Sequence, residues 1–324
     1  MTNVDLRSLQ RSETDVIVDL WNAAFGPPFT IDAAVWLHCT WRTAGFVGDD
    51  AAVAWDAGRP VGLAVTKVWR QPPTAGLDGT TGFISALAVR PDARRQGVGS
   101  RLLAWAEARV RSEGAHRLVL GRDVNALLCG VPETTGALPF FLARGYRATG
   151  RVWDVQRDLQ DYTPHPAALA ARVRLGKRVD IRPATHADTP HLLAFLGREF
   201  PGRWHYDIGV FLSSGGAPDD LMLMFFDGAV EGFAHLHSPF TRHLAYGANW
   251  RRALTPPAGG LGPIGVGEAV RGEGLGLALL DAGLQVLAER GTRGCVIDWT
   301  TLVDFYGKVG FRPWIAYDQA ERRA

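Results

Sequence analysis

At 324 residues the chain is long for one hydrophobic core and comfortable for two. Apolar residues make up 47% and charged residues 21%, which fits a globular class and excludes disorder. A net charge of +2 gives no electrostatic case for a nucleic-acid surface, and no apolar run approaches the ~20 residues of a membrane helix. Three widely spaced cysteines, Cys39, Cys129 and Cys295, argue against a disulfide framework or a cysteine metal site. The opening MTNVDLRSLQ lacks a basic region followed by an apolar core, so the expectation is a cytoplasmic protein without a signal peptide. In chain order, VDLR reads as an edge strand and TDVIVDLWNAAF has helical spacing. AAVAWD, AGRP and VGLAVTKVW read as a hairpin with its turn. FISALAV is a mostly apolar strand, long enough to be central, and RRQGVGS follows at once. In VGSRLLAWAEARVRSE the residues Val98, Leu102, Trp105 and Val110 lie near the helical period. Gly114 is the expected stop, and HRLVLG is the next strand.

The same order then returns as LGPIGV, VRGEGLG, LALLDAGLQVLAER, Gly291 and GCVIDWT. VDLR recurs as VDIR 175 positions on, and Arg94, Gly97, Gly99 and Gly114 recur as Arg271, Gly274, Gly276 and Gly291, each 177 positions on. ARGYR resembles KVGFR at a shorter offset, so the first copy carries about a dozen extra residues in GRDVNALLCGVPETTGAL. The repeat implies two similar domains, 1–160 and 179–324, joined by a partly helical connector at 161–178.

One stretch in each copy carries chemistry. From Val89 to Ser100 a strand ends, a short turn follows and a helix begins at the glycines. The first N–H groups of a helix lack intrahelical partners and lie at the positive end of its dipole. Charge-assisted N–H bonds to an anion there contribute roughly 1.5–3 kcal/mol each before desolvation. A glycine lets a phosphate approach the backbone where a Cβ would hold it off. The stretch is therefore a diphosphate cradle. Its candidate residues are Val89, Arg94, Arg95, Gln96, Gly97, Val98, Gly99 and Ser100 in the first copy. In the second they are Val266, Arg271, Gly272, Glu273, Gly274, Leu275 and Gly276. A dinucleotide fingerprint would need a third glycine where Leu102 stands, and a P-loop would need Lys and Ser/Thr after its last glycine.

Arg94-x-x-Gly97-x-Gly99 and Arg271-x-x-Gly274-x-Gly276 instead resemble the R/Q-x-x-G-x-G/A signature of the GNAT superfamily. A strand ending in Val precedes each, a helix follows, and an aromatic-x-x-x-Gly-aromatic element closes each copy, at Phe141 to Tyr146 and Tyr306 to Phe311. The resemblance covers both halves. It implies an α/β (α+β) fold of two tandem GNAT domains, each a central mixed β-sheet flanked by helices. It also implies acetyl-CoA as co-substrate, and transfer of its acetyl group to a primary amine of a small molecule or peptide by direct attack. The partners it implies are such amines, with no nucleic acid, membrane or metal. The pantetheine arm is expected to pair with the strand ending at Val89 or Val266. In many members a Tyr in the closing element protonates the departing thiolate; only the second copy has it, as Tyr306, where the first has Phe141, so the resemblance implies chemistry in the second domain with Tyr306 as the catalytic acid and a structural or regulatory first domain. A CoA-binding regulatory module and a mycothiol-synthase-like enzyme acetylating a cysteinyl glycoconjugate are the alternatives.

Other residues are weaker candidates. His235 and His237 alternate on one strand and share a side, and they and Asp298 read as structural or exposed. Cys129 reads as a small buried or idle residue. PGRWHYD and YGANWRR read as aromatic, basic loops, with Trp204, Tyr206 and Trp250 either lining an acceptor pocket or covering the core. Glu268 stands where the first copy has Pro91 and places a negative charge beside the second cradle. No general base stands out.

Overall fold

The computed structural model describes residues 4–241 and 249–323. It divides into two compact units: residues up to Trp153 together with those from Ile315 on, and Asp154–Trp314. The last strand, expected within the domain 179–324, therefore lies with the first unit.

In the first unit β1 (Asp5–Ser8) leads into α1 (Thr14–Phe25) and α2 (Ala33–Cys39). The second of these helices has no counterpart in the sequence reading. It starts where the Asp32 carboxylate accepts a hydrogen bond from Val35 N at 3.0 Å, satisfying a free helix-start donor. β2 (Ala51–Asp56), β3 (Arg59–Val68) and β4 (Thr81–Val89) are antiparallel neighbours, with β1 on the outer edge of β2. α3 (Val98–Ser112) crosses from β4 to β5 (Arg117–Leu120), which pairs parallel with β4. The helix turns Val98, Leu102 and Val110 into the core as their spacing predicts, with Leu103 and Ala106 beside them, while Trp105 of the predicted stripe is only partly buried against it. β6 (Val131–Pro132), α4 (Leu138–Leu142) and β7 (Arg147–Asp158) follow, with β7 passing into the second unit at Asp154.

The second unit opens with α5 (Pro166–Leu175), β8 (Val179–Pro183), α6 (Thr189–Glu199) and α7 (Arg203–Ser213). Most of PGRWHYD is therefore helix rather than loop. An Arg203–Asp207 ion pair at 3.1 Å, one turn apart, and the buried Ile208 and Phe211 hold it. β9 (Leu221–Phe226), β10 (Ala229–His237) and β11 (Gly259–Val266) form the antiparallel part of the sheet, with β8 beyond β9. α8 (Leu275–Glu289) connects β11 to β12 (Gly294–Thr300), again in parallel, and α9 (Val303–Gly307) follows. The order repeats that of the first unit, and in each a mixed sheet is flanked by helices.

β13 (Arg312–Arg323) ends the chain. Glu321, Arg322 and Arg323 pair with Val119, Leu118 and Arg117 of β5, so the C-terminal strand extends the first unit's sheet. Arg322 Nη1 reaches both Glu107 carboxylate oxygens, at 3.1 and 3.2 Å, and the Arg144 carbonyl at 2.9 Å. The Tyr146 hydroxyl also donates to Glu107, at 3.1 Å, and burial beside that carboxylate pushes the phenol's pKa up. This network joins β13 to α3 and to the end of α4.

Candidate functional site

β4 and β5 pair from Thr81↔Arg117 to Ile84↔Leu120 and then part. Beyond Ile84, β4 keeps β3 on one side and has an open edge on the other. The opening is a cleft of about 750 Å³, lined by first-unit residues that include Phe25, Ser85, Val89, Gly99, Leu128 and Phe140. Its charged lining residues are Arg94, Arg95 and Arg144, with no acid among them.

The predicted cradle forms one wall of this cleft. Gly97 takes φ 89°, the left-handed region, and is the N-cap of α3, with no side-chain cap beside it. Arg101 N donates to Gly97 O at 3.1 Å. The N–H groups of Val98, Gly99 and Ser100 thus precede the first helical bond. A Cβ on Gly99 would meet nothing closer than Val89 Cγ2 at 3.6 Å, so packing alone does not require glycine there. The space that it leaves belongs to the cleft, as a ligand approaching the backbone needs. Arg94 braces the turn: its guanidinium donates to Val89 O at 3.1 Å and to Ala24 O at 2.7 Å. Gln96 does the same through Asp92 O at 2.9 Å. Arg95 is exposed, at φ 63°.

Arg144 was missed by the motif. It donates to Ser100 Oγ and to Phe140 O, both at 2.8 Å, and lies 3.8 Å above the Phe140 ring. The signal was available, because ARGYR carries this arginine where KVGFR has Val309. Phe141, in the place of the family's tyrosine, also lines the cleft.

The second cradle has the same backbone and different surroundings. Gly274, φ 79°, is the N-cap of α8. A Cβ on it would lie 3.2 Å from Ala171 Cβ of α5, and Arg174 of the same helix donates to Glu273 O at 2.7 Å and pairs with its carboxylate at 2.9 Å. The expected connector is thus packed on α8. Buried Asp281 fixes it, accepting from the Tyr162 hydroxyl at 2.6 Å and from His165 N at 2.7 Å. Glu268 N donates to Glu199 Oε2 at 3.0 Å, so acids gather at this turn where arginines gather at the first. Val266 and Arg271 flank it, the latter exposed.

Tyr306 is buried on α9, between the rings of Phe305 and Phe311. Burial, and then the Asp298 charge, push its phenol up to about 12, while a hydrogen bond with Thr300 opposes them. Trp204 packs against Phe200 and Phe233 on the second unit's core. Trp250 is buried and Tyr206 half-buried, while 246–248 of YGANWRR lie outside the described residues. Cys129 is buried and reduced.

His235 and His237 are both buried on β10. Burial, with His237 nearby, pushes the His235 pKa down to about 3. An unfolded histidine takes up its proton near ~6.5, so below that pH the unfolded chain binds the extra proton and stability falls as the pH drops toward about 3. Urea unfolding between about pH 6.5 and 4 should show the parent losing up to ~1.4 kcal/mol per pH unit relative to His235→Gln. Parallel curves for the two proteins would mean that His235 is hydrated and protonates in the folded state.

Residues 15–136 match the acetyltransferase (GNAT) family, a stretch that falls inside the first unit. The chain is 27% identical over 252 residues to the mycothiol acetyltransferase of Catenulispora acidiphila, covering 71% of this chain and 69% of that protein. It resembles the GCN5-related glucosamine N-acetyltransferase region of a fungal multi-domain beta-N-acetylglucosaminidase at TM-score 0.88 and 24% identity. That likeness covers 99% of this chain and 38% of that one, so this chain spans well under half of the multi-domain protein. A tandem GNAT protein from the clavulanic acid biosynthesis pathway superposes with TM-score 0.67 at 16% identity, covering 99% of this chain and 98% of that one. Both structural likenesses concern the fold, and the second is to a tandem GNAT protein. With a strand, a glycine turn and a helix start repeated in two units and the family's match over the first, this chain carries an acetyltransferase (GNAT) domain in its first unit.

Proposed function

We propose that the first unit carries out the transfer and that the acceptor is the primary amine of a small molecule. The observation behind this reading is the contrast between the two cradles. One lines an open cleft with three arginines and no acid. The other meets α5, with Glu273 paired to Arg174.

Acetyl-CoA would supply the activated acetyl group, with its diphosphate on the N–H groups of Val98, Gly99 and Ser100. Arg95 and Arg144 are the counter-charges, and a guanidinium suits a phosphate because its N–H groups form a planar fork. Arg94 and Gln96 keep the turn in shape. The open edge of β4 up to Val89 offers backbone groups to an extended ligand. Mycothiol acetyltransferase and the glucosamine N-acetyltransferase region, both similar to this chain, support an amine carried on or near a sugar.

Release of CoA from acetyl-CoA, measured with D-glucosamine and with a cysteinyl pseudodisaccharide, tests the reading and separates the two acceptors. Tight acetyl-CoA binding without release in either assay would favour a CoA-binding regulatory module. One observation favours chemistry in the second unit: Phe305-Tyr306 retains the hydroxyl that Phe141 lacks. In the first-unit reading Tyr306 is a packing residue, so Tyr306→Phe turns over like the parent. A drop in kcat of ~10-fold or more with acetyl-CoA affinity unchanged would move the chemistry to the second unit.

A further inference from the structure

Where β4 leaves β5 it carries one residue more than its other partner. Val65 pairs with Ala86 and Thr66 with Ile84, so Ser85 is the extra residue of a β-bulge. A bulge re-aims a side chain, and Ser85 lines the cleft although it is almost wholly buried. Its hydroxyl donates to Asp123 Oδ2 at 2.9 Å.

Asp123 comes from the stretch that the first copy has and the second lacks. Lys67 of β3 forms an ion pair with the same Oδ2, and its ammonium also donates to Val124 O at 2.8 Å and Asn125 O at 3.1 Å. Both charges are buried, Lys67 at 6% and Asp123 at 1% exposure. Asp123 Oδ1 is buried too and accepts no hydrogen bond. A buried polar atom without a partner costs ~1–3 kcal/mol, more when it is charged, so such an atom beside a cleft calls for a role. Among the described residues Cys39 of α2 also faces this pair, its thiol pushed up to about 12 by burial and so neutral.

We propose that Ser85 and Asp123 form the acceptor-amine subsite of this acetyltransferase, with Ser85 receiving the proton that the amine gives up and passing its own to Asp123. The proposal rests on the first unit being the acetylating one. Because the Ser85 proton is committed to Asp123, the hydroxyl turns its lone pairs outward and can accept an N–H. The surrounding floor is apolar, with Ile84, Ala86, Leu120 and Leu128, so a carboxylate-backed acceptor there is strong.

An ammonium must lose a proton before its nitrogen can attack. The amine proton moves to Ser85 Oγ as the Ser85 proton moves to the Asp123 carboxylate. The C–N bond forms, the C–S bond breaks and the sulfur leaves with the electron pair; the second proton, still on the acylated nitrogen, passes through water to the thiolate, so the products are the amide and the CoA thiol while Asp123 holds the first proton until solvent takes it. Ser85 is the catalytic residue, and Asp123 is a positioning residue acting through it. The second unit has Gly262 at the repeat position of Ser85 and lacks the stretch that carries Asp123, so it has no equivalent pair.

The test uses the full chain with D-glucosamine as acceptor. Ser85→Ala and Asp123→Asn are expected to lower kcat/KM for the amine by ~100-fold or more, with the calorimetric affinity for acetyl-CoA close to the parent's. Asp123→Asn should also move the acidic limb of the pH profile, and Ser85→Thr should restore activity. Amine kinetics and a pH profile like the parent's in both variants would overturn the subsite. A second readout needs no turnover. The Asp123 carboxyl carbon signal, assigned by its loss in Asp123→Asn, should shift on titration with D-glucosamine in the parent and not in Ser85→Ala. No shift in the parent would overturn the proposal as well. Failure of the underlying reading is distinct: acetyl-CoA would then bind Gly99→Val as it binds the parent, whatever Ser85 does.

Discussion

Gly99→Val should weaken acetyl-CoA binding by ~100-fold or more, while Gly276→Val leaves it close to the parent's. The two glycines occupy the same place in the repeat, the second residue of the helix, two after its left-handed N-cap. Neither has a positive φ, so valine strains neither backbone in that way. Around Gly99 the nearest atoms to a new Cβ are at 3.6 Å, and around Gly276 the nearest is Phe305 Cζ at 3.8 Å. Valine therefore fits both sites, and both variants should fold. At position 99 its methyl groups stand in the cleft and hold a diphosphate off the N–H groups of Val98, Gly99 and Ser100. Losing two charge-assisted bonds at ~1.5–3 kcal/mol each corresponds to ~10²–10⁴-fold in affinity. Calorimetric titration measures this directly, with a thermal melt to verify folding. If Gly276→Val is the variant that loses binding, the cofactor belongs to the second unit and the proposed assignment is reversed.

Lys67→Met should cost ~3–5 kcal/mol of stability, a large part of the ~5–15 kcal/mol that a folded domain typically has. The reason is less the lost attraction than the charge left behind. Asp123 stays in the interior with Oδ1 already lacking a partner, and Oδ2 would keep only the Ser85 hydroxyl. The carbonyls of Val124 and Asn125 lose their donor in the same step. Urea unfolding of Lys67→Met beside Lys67→Met/Asp123→Leu separates the contributions. The double variant removes both charges and should recover much of the loss, because exchanging a buried pair for apolar residues is often close to neutral. A single variant within ~1 kcal/mol of the parent would mean that water reaches this pair.

Much of the molecule was legible in its residues. The repeat of Arg94, Gly97, Gly99 and Gly114 as Arg271, Gly274, Gly276 and Gly291 located both strand–turn–helix elements, and both glycine N-caps take the left-handed conformation that only glycine adopts without cost. Gly114 and Gly291 stop their helices with φ of 86° and 76°. These are local features, set by steric limits on a few consecutive residues, and local sequence encodes them. α7 was less legible, because PGRWHYD has the composition of a loop and becomes helical through Ile208 and Phe211, whose burial depends on the rest of the unit.

What surrounds each cradle was decided only by the tertiary structure. The two turns are nearly interchangeable as sequence, and the difference is made by α5, about a hundred residues before the turn that it meets through Ala171 and Arg174. Ser85, Asp123 and Lys67 likewise meet across three separate segments. The last strand joins β5 although the repeat assigns it to the second half. Periodicity reports that a face will be buried, but hydrophobic burial is non-directional and does not name the partner. Charge and hydrogen-bond geometry choose the partner, and they act only once the segments have been brought together.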